Sequence, residues 1–505
     1  MNVYDRLRDP LALAIFAFTL ILPVIVGLLA MRRTRSQAEF FVGGKAMDRI
    51  VVALSAVATG RSSWLVLGVS GMAYTMGVSA VWSVVGYILV EMLQFVWIGR
   101  PLRRLARSEE AITLLDVLAA RFDDRRHLVR LTGAAITGIF ITAYVAAQFN
   151  AGAKSLTSAL DLPLPASIAL SALLILVYMV LGGYIAVAWN DVVRAVIMIV
   201  VLVLLPAWGL AEAGGPGVLL DTLAALKPSL VDPTALGAGA LIGFLGIGLG
   251  SPGQPHVLVR YMSIDDPEKL RLSAVVGTFW NVVLAWGALM IGLLGRAACP
   301  DVAALPGKDP EMIFLVLSAR TFGPALYGLM VGGIFAAILS TADSQLLVVA
   351  STLVRDVYEK VIRKGAPLDE ARRVRLGRIA VVAAGIAAVA LAWAAEDLVF
   401  WLVLFAWGGL GASIGTAVIF CLYWKRTTSA GVVAGMITGT VVTVLWKLFL
   451  KAPTGIYELI PAFLCASLAI VIVSAAGAGS RIRSFEEKGA GSLSGTSPPG
   501  NPGRR

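Results

Sequence analysis

Long apolar runs recur along nearly the whole chain, and each is about 20 residues long, enough to cross a hydrocarbon core of roughly 30 Å as a helix. These runs do not alternate between apolar and polar positions, as the strands of a membrane barrel would. The pattern therefore predicts an all-α polytopic membrane protein with about 13 transmembrane helices. The predicted crossings are residues 11–31, 50–76, 78–99, 131–153, 164–186, 190–212, 236–259, 272–296, 322–353, 377–395, 398–421, 429–448 and 457–477.

The composition agrees with this pattern, since 58% of the 505 residues are hydrophobic and only 14% are charged. A net charge of +11 would suit a nucleic-acid-binding protein if the basic residues shared one soluble surface. Instead, most Lys and Arg fall in alternate predicted loops, such as 100–107, 121–130 and 355–378, which is the positive-inside pattern. The sequence thus predicts a lipid bilayer and no nucleic acid as partner. It also predicts a multi-pass protein of the cell inner membrane, with its N-terminus outside and its C-terminus in the cytoplasm.

One membrane domain is predicted over residues 1–479, because no linker separates a second domain. Its parts are a first repeat at about 50–212, a second repeat at about 236–421, and flanking helices at 11–31, 429–448 and 457–477. Residues 480–505 are rich in Gly, Ser, Pro and charge, which predicts a disordered cytoplasmic tail. The three cysteines are scattered and offer neither a disulfide framework nor metal-ligand spacing.

Two predicted crossings contain residues that interrupt a helix. The stretch LSAVATGRSSW, residues 54–64, places Arg61 and four hydroxyl groups in an otherwise apolar segment, and FLGIGLGSPGQPHVLV, residues 244–259, contains four glycines and two prolines. Irregular backbone persists at membrane depth only where it lines a cavity or is buried in protein. The expected breaks, at 58–63 and 247–255, lie roughly 190 residues apart, as in two inverted repeats around a binding site at the membrane midplane.

A third polar group lies in the apolar stretch GGIFAAILSTADSQLLVVAS, residues 332–351. Hydroxyl groups alone would be unremarkable there, because Ser and Thr bond back to the i−4 carbonyl at little cost. A carboxylate such as Asp343 is costly in hydrocarbon unless it meets water, a cation or a partner. Ser340 and Thr341, facing carbonyl groups of a broken helix, would form an all-oxygen site for a hard monovalent cation.

Four segments, in this order, resemble the sodium:solute symporter family. The resemblance covers residues 37–445 and implies a LeuT-type 5+5 inverted repeat that takes up a solute with sodium by alternating access. The segments are FFVGGKAMDRIVVALSAVATGRSSWL at the first break, GGYIAVAWNDVVRAVIM at 182–198, GQPHVLVRYM at 253–262 and LSTADSQLLV at 339–348.

The same resemblance implies which residues bind sodium. The sodium site shared by the family would take main-chain carbonyl groups and two hydroxyl groups from Ala58, Arg61, Ala337, Ser340 and Thr341. Some members have a second sodium site, which would involve Asp191 and Ser344 in this chain. Asp343 falls where those members carry a hydroxyl group, so this second site is left open.

For the substrate, the resemblance points to the two breaks. Trp64 and Tyr144 match substrate-pocket positions of a characterised family member, whereas Ile247 and Ser251 stand where that member has aromatic residues. The predicted substrate-binding residues are Ser62, Ser63, Trp64, Tyr144, Ser251 and Gln254.

Arg61 departs from the family pattern, because that same member has Asp-Met where this chain has Gly60-Arg61. Three interpretations are open. Arg61 offers only its carbonyl to sodium while its side chain pairs with an acid such as Asp191, Asp343 or Glu91. Alternatively, its guanidinium group binds a substrate carboxylate in a bidentate manner. In the third interpretation it occupies the cation position and makes transport independent of sodium.

The predicted function is the import of a small organic solute, an amino acid or a carboxylate, with Na⁺ as the coupling ion. A proton-coupled or sodium-independent transporter of the same fold is the first alternative, and a membrane sensor built on this fold is the second. An enzyme is not expected, because the sequence contains no nucleophile–base motif and no metal-ligand spacing.

Overall fold

The computed structural model describes residues 6–31, 47–366, 368–394 and 398–477, and these residues are almost wholly helical. The predicted tail, 480–505, lies outside the described residues. The helices of the first half are α1 (Pro10–Met31), α2 (Arg49–Ser63), α3 (Ser70–Met76), α4 (Trp82–Gln94), α5 (Arg100–Ser108), α6 (Leu114–Arg121), α7 (Leu128–Leu160), α8 (Leu164–Glu212) and α9 (Pro216–Leu226). Those of the second half are α10 (Ala238–Gly246), α11 (Pro255–Ser263), α12 (Leu270–Ala298), α13 (Ile313–Thr321), α14 (Pro324–Ser351), α15 (Glu370–Trp393), α16 (Val399–Leu410), α17 (Thr416–Tyr423), α18 (Ser429–Leu445), α19 (Lys451–Thr454) and α20 (Leu459–Ala476).

Several of these helices are joined end to end by short turns of 3-10 or π helix. The longer joins are Trp64–Val69, Gly77–Val81, Phe95–Gly99, Ile247–Gly253, Gly411–Gly415 and Trp446–Leu450, and α14 continues as a π helix over Thr352–Ile362. Gly77 shows why one of them bends. Its φ is +67°, and a Cβ there would lie 2.0 Å from the carbonyl oxygen of Leu230, so only glycine fits.

Within the described ranges, nine helical segments are long and apolar enough to cross a membrane. Shorter apolar helices lie at Pro10–Pro23, Leu164–Val177, Pro216–Leu226 and Ala238–Gly253. Every predicted crossing falls within or largely overlaps one of these segments. The number of crossings and the division into two repeats stay predictions.

Helix α8 corrects one predicted boundary. The expected loop at 187–189 is wrong, because the chain is helical throughout this stretch. A straight helix of 49 residues would be about 74 Å long. However, both ends of α8 lie on one side: Arg6 and Arg8 donate to the carbonyl groups of Phe322 and Leu160, and the Trp208 ring lies 6.0 Å from that of Phe322. The segment Leu164–Glu212 therefore cannot be a single straight helix.

Helix α14 lies at the centre of the bundle. It packs against α1, α2, α7, α8 and α15, and almost all of its residues from Met330 to Leu347 are buried. Because these positions are buried, the polar residues in this helix depend on partners within the protein or on a bound group. This constraint places the polar chemistry of the molecule where α2, α8, α11 and α14 meet.

Candidate functional site

The first break is sharp and falls at a single residue, Ser62. Its φ of 49° and ψ of −174° are non-helical, whereas Ala58 to Arg61 remain helical, so the interruption is narrower than the predicted 58–63. Such a conformation costs a non-glycine residue about 1–3 kcal/mol and must be held by its surroundings. The Ser62 hydroxyl accepts a hydrogen bond from Trp64 N–H at 3.1 Å and lies 3.3 Å from the Tyr144 hydroxyl, which donates to it. In addition, Ser63 N–H donates to Gln148 Oε1 at 3.1 Å.

The second break is confirmed as well. The chain forms a 3-10 turn over Ile247–Gly253, becomes extended at Gln254, and resumes as α11 at Pro255. Gln254 Nε2 donates to the carbonyl groups of Gly250 and Trp407, at 2.9 and 3.1 Å, and Trp407 Nε1 donates to Ile247 O at 2.9 Å. These side-chain bonds satisfy main-chain carbonyl groups that the broken helix leaves unpaired. A Cβ on Gly250 would lie 2.1 Å from Trp407 Nε1, so this approach requires glycine.

Four of the five predicted ligands of the first sodium site lie together, and we call this group the oxygen cluster (Ala58, Ala337, Ser340 and Thr341). The Ser340 hydroxyl oxygen lies 3.0 Å from the carbonyl oxygens of both Ala58 and Ala337, which share its one proton. Thr341 Oγ1 lies 3.3 Å from Ala337 O and 2.9 Å from Thr59 O. All four residues are buried. The donor set is made of neutral oxygens from α2 and α14, which suits a hard monovalent cation.

Arg61 is the fifth predicted ligand, and both its carbonyl oxygen and its side chain already have partners within the protein. Its carbonyl oxygen accepts the N–H of Trp64. Its guanidinium group is buried, pairs with Glu91 through Nη2, and donates from Nε to Asn281 Oδ1 at 2.8 Å. The group also lies 3.6 Å from the centre of the Tyr87 ring. The structure thus agrees with the side-chain part of the first interpretation of Arg61, and the acid is Glu91 on α4. That the Arg61 carbonyl binds sodium stays a prediction.

The predicted second sodium site contains arginine side chains. We call Asp191, Arg194, Arg260, Asp343 and Ser344 the charge cluster. Arg260 Nη2 lies 3.0 Å from Asp191 Oδ2 and also contacts the Ser344 hydroxyl. Arg194 Nη1 lies 2.5 Å from Asp343 Oδ2 and 3.7 Å from Asp191 Oδ1. The sequence analysis missed both arginines, although each is a cation within or at the end of an apolar run.

The predicted substrate residues lie around the two breaks. Ser62, Trp64 and Tyr144 are linked at the first break, and Gln254 N–H donates to Ser251 O at 3.2 Å at the second. The two breaks meet where the Tyr144 ring packs edge-on against the ring of His256, 5.8 Å away. Ser63 is placed beside them by Gln148.

This region contains buried polar atoms that have no hydrogen-bond partner among the described residues. They are Ser63 Oγ, Trp64 Nε1, Gln148 Nε2, Gln254 Oε1 and both ring nitrogens of His256. Unpaired buried polar groups are costly in a folded protein unless something binds to them. The sequence analysis included neither Gln148 nor His256 among the substrate residues. The signal that would have found Gln148 is an amide four residues after Tyr144, on the same helix face.

A third buried group of charges, which we call the inner cluster, joins α6, α7 and the turn after α14. Arg130 pairs with Asp116 at 2.8 Å and also with Asp356, and Arg355 lies 3.3 Å from Asp116. Burial raises the pKa of the Asp116 carboxyl, but the guanidinium groups of Arg130 and Arg355 outweigh this effect, so its pKa lies below its usual value. A cavity runs from Thr113, beside this cluster, to Arg260 and Ser344.

Comparison with known proteins identifies the family. The family model of the sodium:solute symporters matches residues 40–439. The chain is 34% identical over 462 residues to the high-affinity proline transporter PutP of Bacillus subtilis, covering 89% of this chain and 95% of the relative. It is 33% identical over 462 residues to the sodium/proline symporter of Escherichia coli K12, covering 90% and 91%. A sodium/proline symporter of Staphylococcus aureus is 35% identical over 456 residues, covering 87% and 88%.

Solved structures agree in fold. A Na⁺-coupled sialic acid symporter in a substrate-bound, outward-open state superposes with a TM-score of 0.81 at 18% identity, covering 94% of this chain and 99% of that one. The nucleobase-cation-symport-1 transporter MHP1, in a closed conformation with bromovinylhydantoin bound, superposes with a TM-score of 0.54 at 15% identity, covering 88% of this chain and 96% of that one.

These matches confirm the resemblance, the all-helical LeuT-type fold, and transport as the activity. They also decide between coupling ions, since the family couples its solutes to sodium. The chain therefore belongs to the sodium:solute symporter family, and it is a multi-pass membrane protein that imports a small organic solute together with sodium.

Proposed function

We propose that this protein imports a small neutral amino acid, with proline as the first candidate, using one sodium ion bound at the oxygen cluster. The proline transporters of Bacillus subtilis and Escherichia coli, each about one-third identical to this chain over most of its length, support this substrate class. In accord with the loop charges, we place the protein in the inner membrane of a bacterial cell, with the N-terminus outside and the C-terminus in the cytoplasm.

The observation that carries the proposal is the bridge made by the Ser340 hydroxyl, which joins Ala58 O on α2 to Ala337 O on α14. Sodium binding among these oxygens would tie α2 to α14, because the ligands come from both helices. The Ser62 break lies one turn beyond Ala58 on the same helix. An ion held at Ala58 would therefore also fix the position of the substrate residues Ser62, Ser63 and Trp64.

The polar atoms at the breaks favour a neutral solute over an anion. Trp64 Nε1 and Gln148 Nε2 are donors, Gln254 Oε1 is an acceptor, and none of these groups is charged. Arg61 is the cation next to Ser62, and its guanidinium group already pairs with Glu91. A zwitterion brings its own balancing charge into such a site, whereas a carboxylate alone would be left uncompensated.

Transport would then follow from the two breaks. Sodium binding at the oxygen cluster would hold the outer halves of the helices ready for the solute, which would bind between Trp64 and Gln254. Movement of the helices around Ser62 and Gln254 would close the outer path and open the inner one. The loss of two aromatic side chains at Ile247 and Ser251, relative to a characterised member, should leave this pocket wider.

The test is uptake of radiolabelled proline into proteoliposomes that contain the purified protein. We expect uptake with an inward sodium gradient and at least tenfold less with potassium. Ser340→Ala should raise the sodium concentration for half-maximal uptake by about tenfold, the effect of losing roughly 1.4 kcal/mol of binding free energy. Ser155→Ala is the matched control, because the Ser155 hydroxyl also donates to a carbonyl group within its own helix but lies on α7.

Unlabelled solutes added to the same assay test the substrate class. Neutral amino acids should compete with proline, whereas acetate and short-chain dicarboxylates should not. Competition by the carboxylates alone would contradict the proposed substrate, and equal uptake in sodium and potassium would contradict the proposed ion site.

A further inference from the structure

The charge cluster contains its own cations. Asp191 and Ser344, whose oxygens would hold a second sodium ion, both contact Arg260 Nη2. Arg260 Nε also contacts the Ser55 hydroxyl at 3.1 Å, and Ser55 in turn donates to Asp191 Oδ2 at 2.7 Å. Because Arg260 is fixed from its other side by His256 O, at 2.8 Å from Nη1, the guanidinium group is held on these oxygens.

The charges in this cluster balance. Two carboxylates, Asp191 and Asp343, face two guanidinium groups, Arg194 and Arg260. All four side chains are buried, each with no more than 1% exposed. Among the described residues, a sodium ion added here would meet no carboxylate that lacks a cationic partner, and an unpaired charge buried in a low-dielectric interior is strongly unfavourable. The residues present therefore do not fit a second sodium ion.

We propose that Arg260 permanently occupies the place of a second coupled cation, so that this transporter binds a single sodium ion and carries a latent cation site at Asp191. The proposal deepens the proposed function, since it assumes that the oxygen cluster is the sodium site in use. Arg194 and Asp343 complete the arrangement by balancing each other next to Asp191.

A cavity borders the latent site. A cavity lined by Thr113, Tyr184, Arg260, Ser344 and Ser351 extends from the inner cluster to the charge cluster. If the guanidinium group were removed, this cavity would admit water and a cation to Asp191 and Ser344. The cluster would then carry one negative charge in excess, because Asp191 would lose its partner while Arg194 and Asp343 stayed paired.

The experiment counts bound sodium directly. Saturation binding of ²²Na⁺ to the purified, full-length protein gives the number of ions per molecule without depending on any solute. We expect one ion for the wild type and two for Arg260→Gln, with a Hill coefficient that rises from about 1 toward 2. The double variant Arg260→Gln/Asp191→Asn removes the excess charge and should return the count to one.

Two further variants separate this effect from a structural one. Arg260→Lys keeps the positive charge and should bind one ion. Arg103→Gln is the matched control, because Arg103 is a buried arginine that donates to a carbonyl group, Ile264 O at 2.6 Å, and it should also bind one ion. A structural disturbance alone would lower sodium binding in Arg260→Gln, not add an ion.

Two ions bound to the wild type would overturn the inference, and this count needs no variant. The inference would also be overturned if Arg260→Gln eluted as a single monodisperse species and still bound the same number of sodium ions as the wild type. The difference in the number of bound sodium ions between the wild type and Arg260→Gln tests the charge cluster. A wild type that binds no sodium would instead contradict the proposed sodium site at the oxygen cluster. If Arg260→Gln does not fold, two ions bound to Arg260→Lys would equally overturn the inference.

Discussion

The buried pair of Arg61 and Glu91 is predicted to stabilise the helix bundle, and the substitution Arg61→Met tests this. Both side chains have at most 2% of their surface exposed, and they join α2 to α4. Arg61 also donates to Asn281 on α12, so one side chain connects three helices. Methionine has a similar length and no charge, so the variant removes the ion pair while filling much of the same space.

The expected loss is large because Glu91 would remain buried without a cation. Two unit charges about 4 Å apart attract each other by about 4 kcal/mol at an effective dielectric constant near 20. Removing one member of a buried pair typically costs about 3–5 kcal/mol. We therefore expect Arg61→Met to lower the free energy of unfolding by about 3–5 kcal/mol.

The double variant Arg61→Met/Glu91→Gln separates the pair from its parts. With both charges removed, no uncompensated carboxylate remains, so the double variant should recover at least half of the stability that Arg61→Met loses. The free energy is measured by titration with a denaturing detergent in mixed micelles, followed by tryptophan fluorescence. Arg125→Met is the matched control. Arg125 forms a comparable pair with Asp123, at 3.0 Å, but on the exposed surface, and its removal should cause no measurable change.

An Arg61→Met variant as stable as the wild type would refute this reasoning. So would a double variant whose loss equals the sum of the losses measured for Arg61→Met and for Glu91→Gln alone, since independent effects would mean that Arg61 and Glu91 do not interact.

Two more predictions concern the second break and the inner cluster. Gly250→Ala should abolish uptake of proline, because a Cβ there would lie 2.1 Å from Trp407 Nε1, whereas Gly217→Ala, with no atom within 4 Å of the added Cβ, should retain it. The lowered pKa of Asp116 means that this carboxylate stabilises the fold above its unfolded pKa of about 3.9, and that the contribution disappears as the pH falls through its lower folded value. The variant Asp116→Asn should therefore have a lower melting temperature than the wild type at pH 6. The difference in melting temperature should shrink as the pH is lowered to 3. A difference that stayed constant with pH would contradict the pairing.

Much of the ion site could be predicted before the structure. Ser340 and Thr341 are identified by a polar sequence in an apolar run, and their meeting with Ala58 follows from the family pattern. The two breaks could also be located, because glycine, proline and hydroxyl residues weaken a helix wherever they occur. Their widths could not be predicted. The first is confined to Ser62, whose conformation depends on Tyr144 from another helix.

By itself, the sequence determined the helical class, the apolar segments and the family, because the length of an apolar run and the order of motifs are properties of the chain read locally. Only the tertiary structure decided which buried charges are partners. Arg61 could have met several acids, and it meets Glu91 because of how α2 and α4 are rotated against each other. Likewise, Arg260 on α11 lies on Asp191 of α8 because both helices pack against α2, which brings together residues 69 positions apart. Rotation and packing of helices depend on all their neighbours at once, so no single stretch of sequence contains that information.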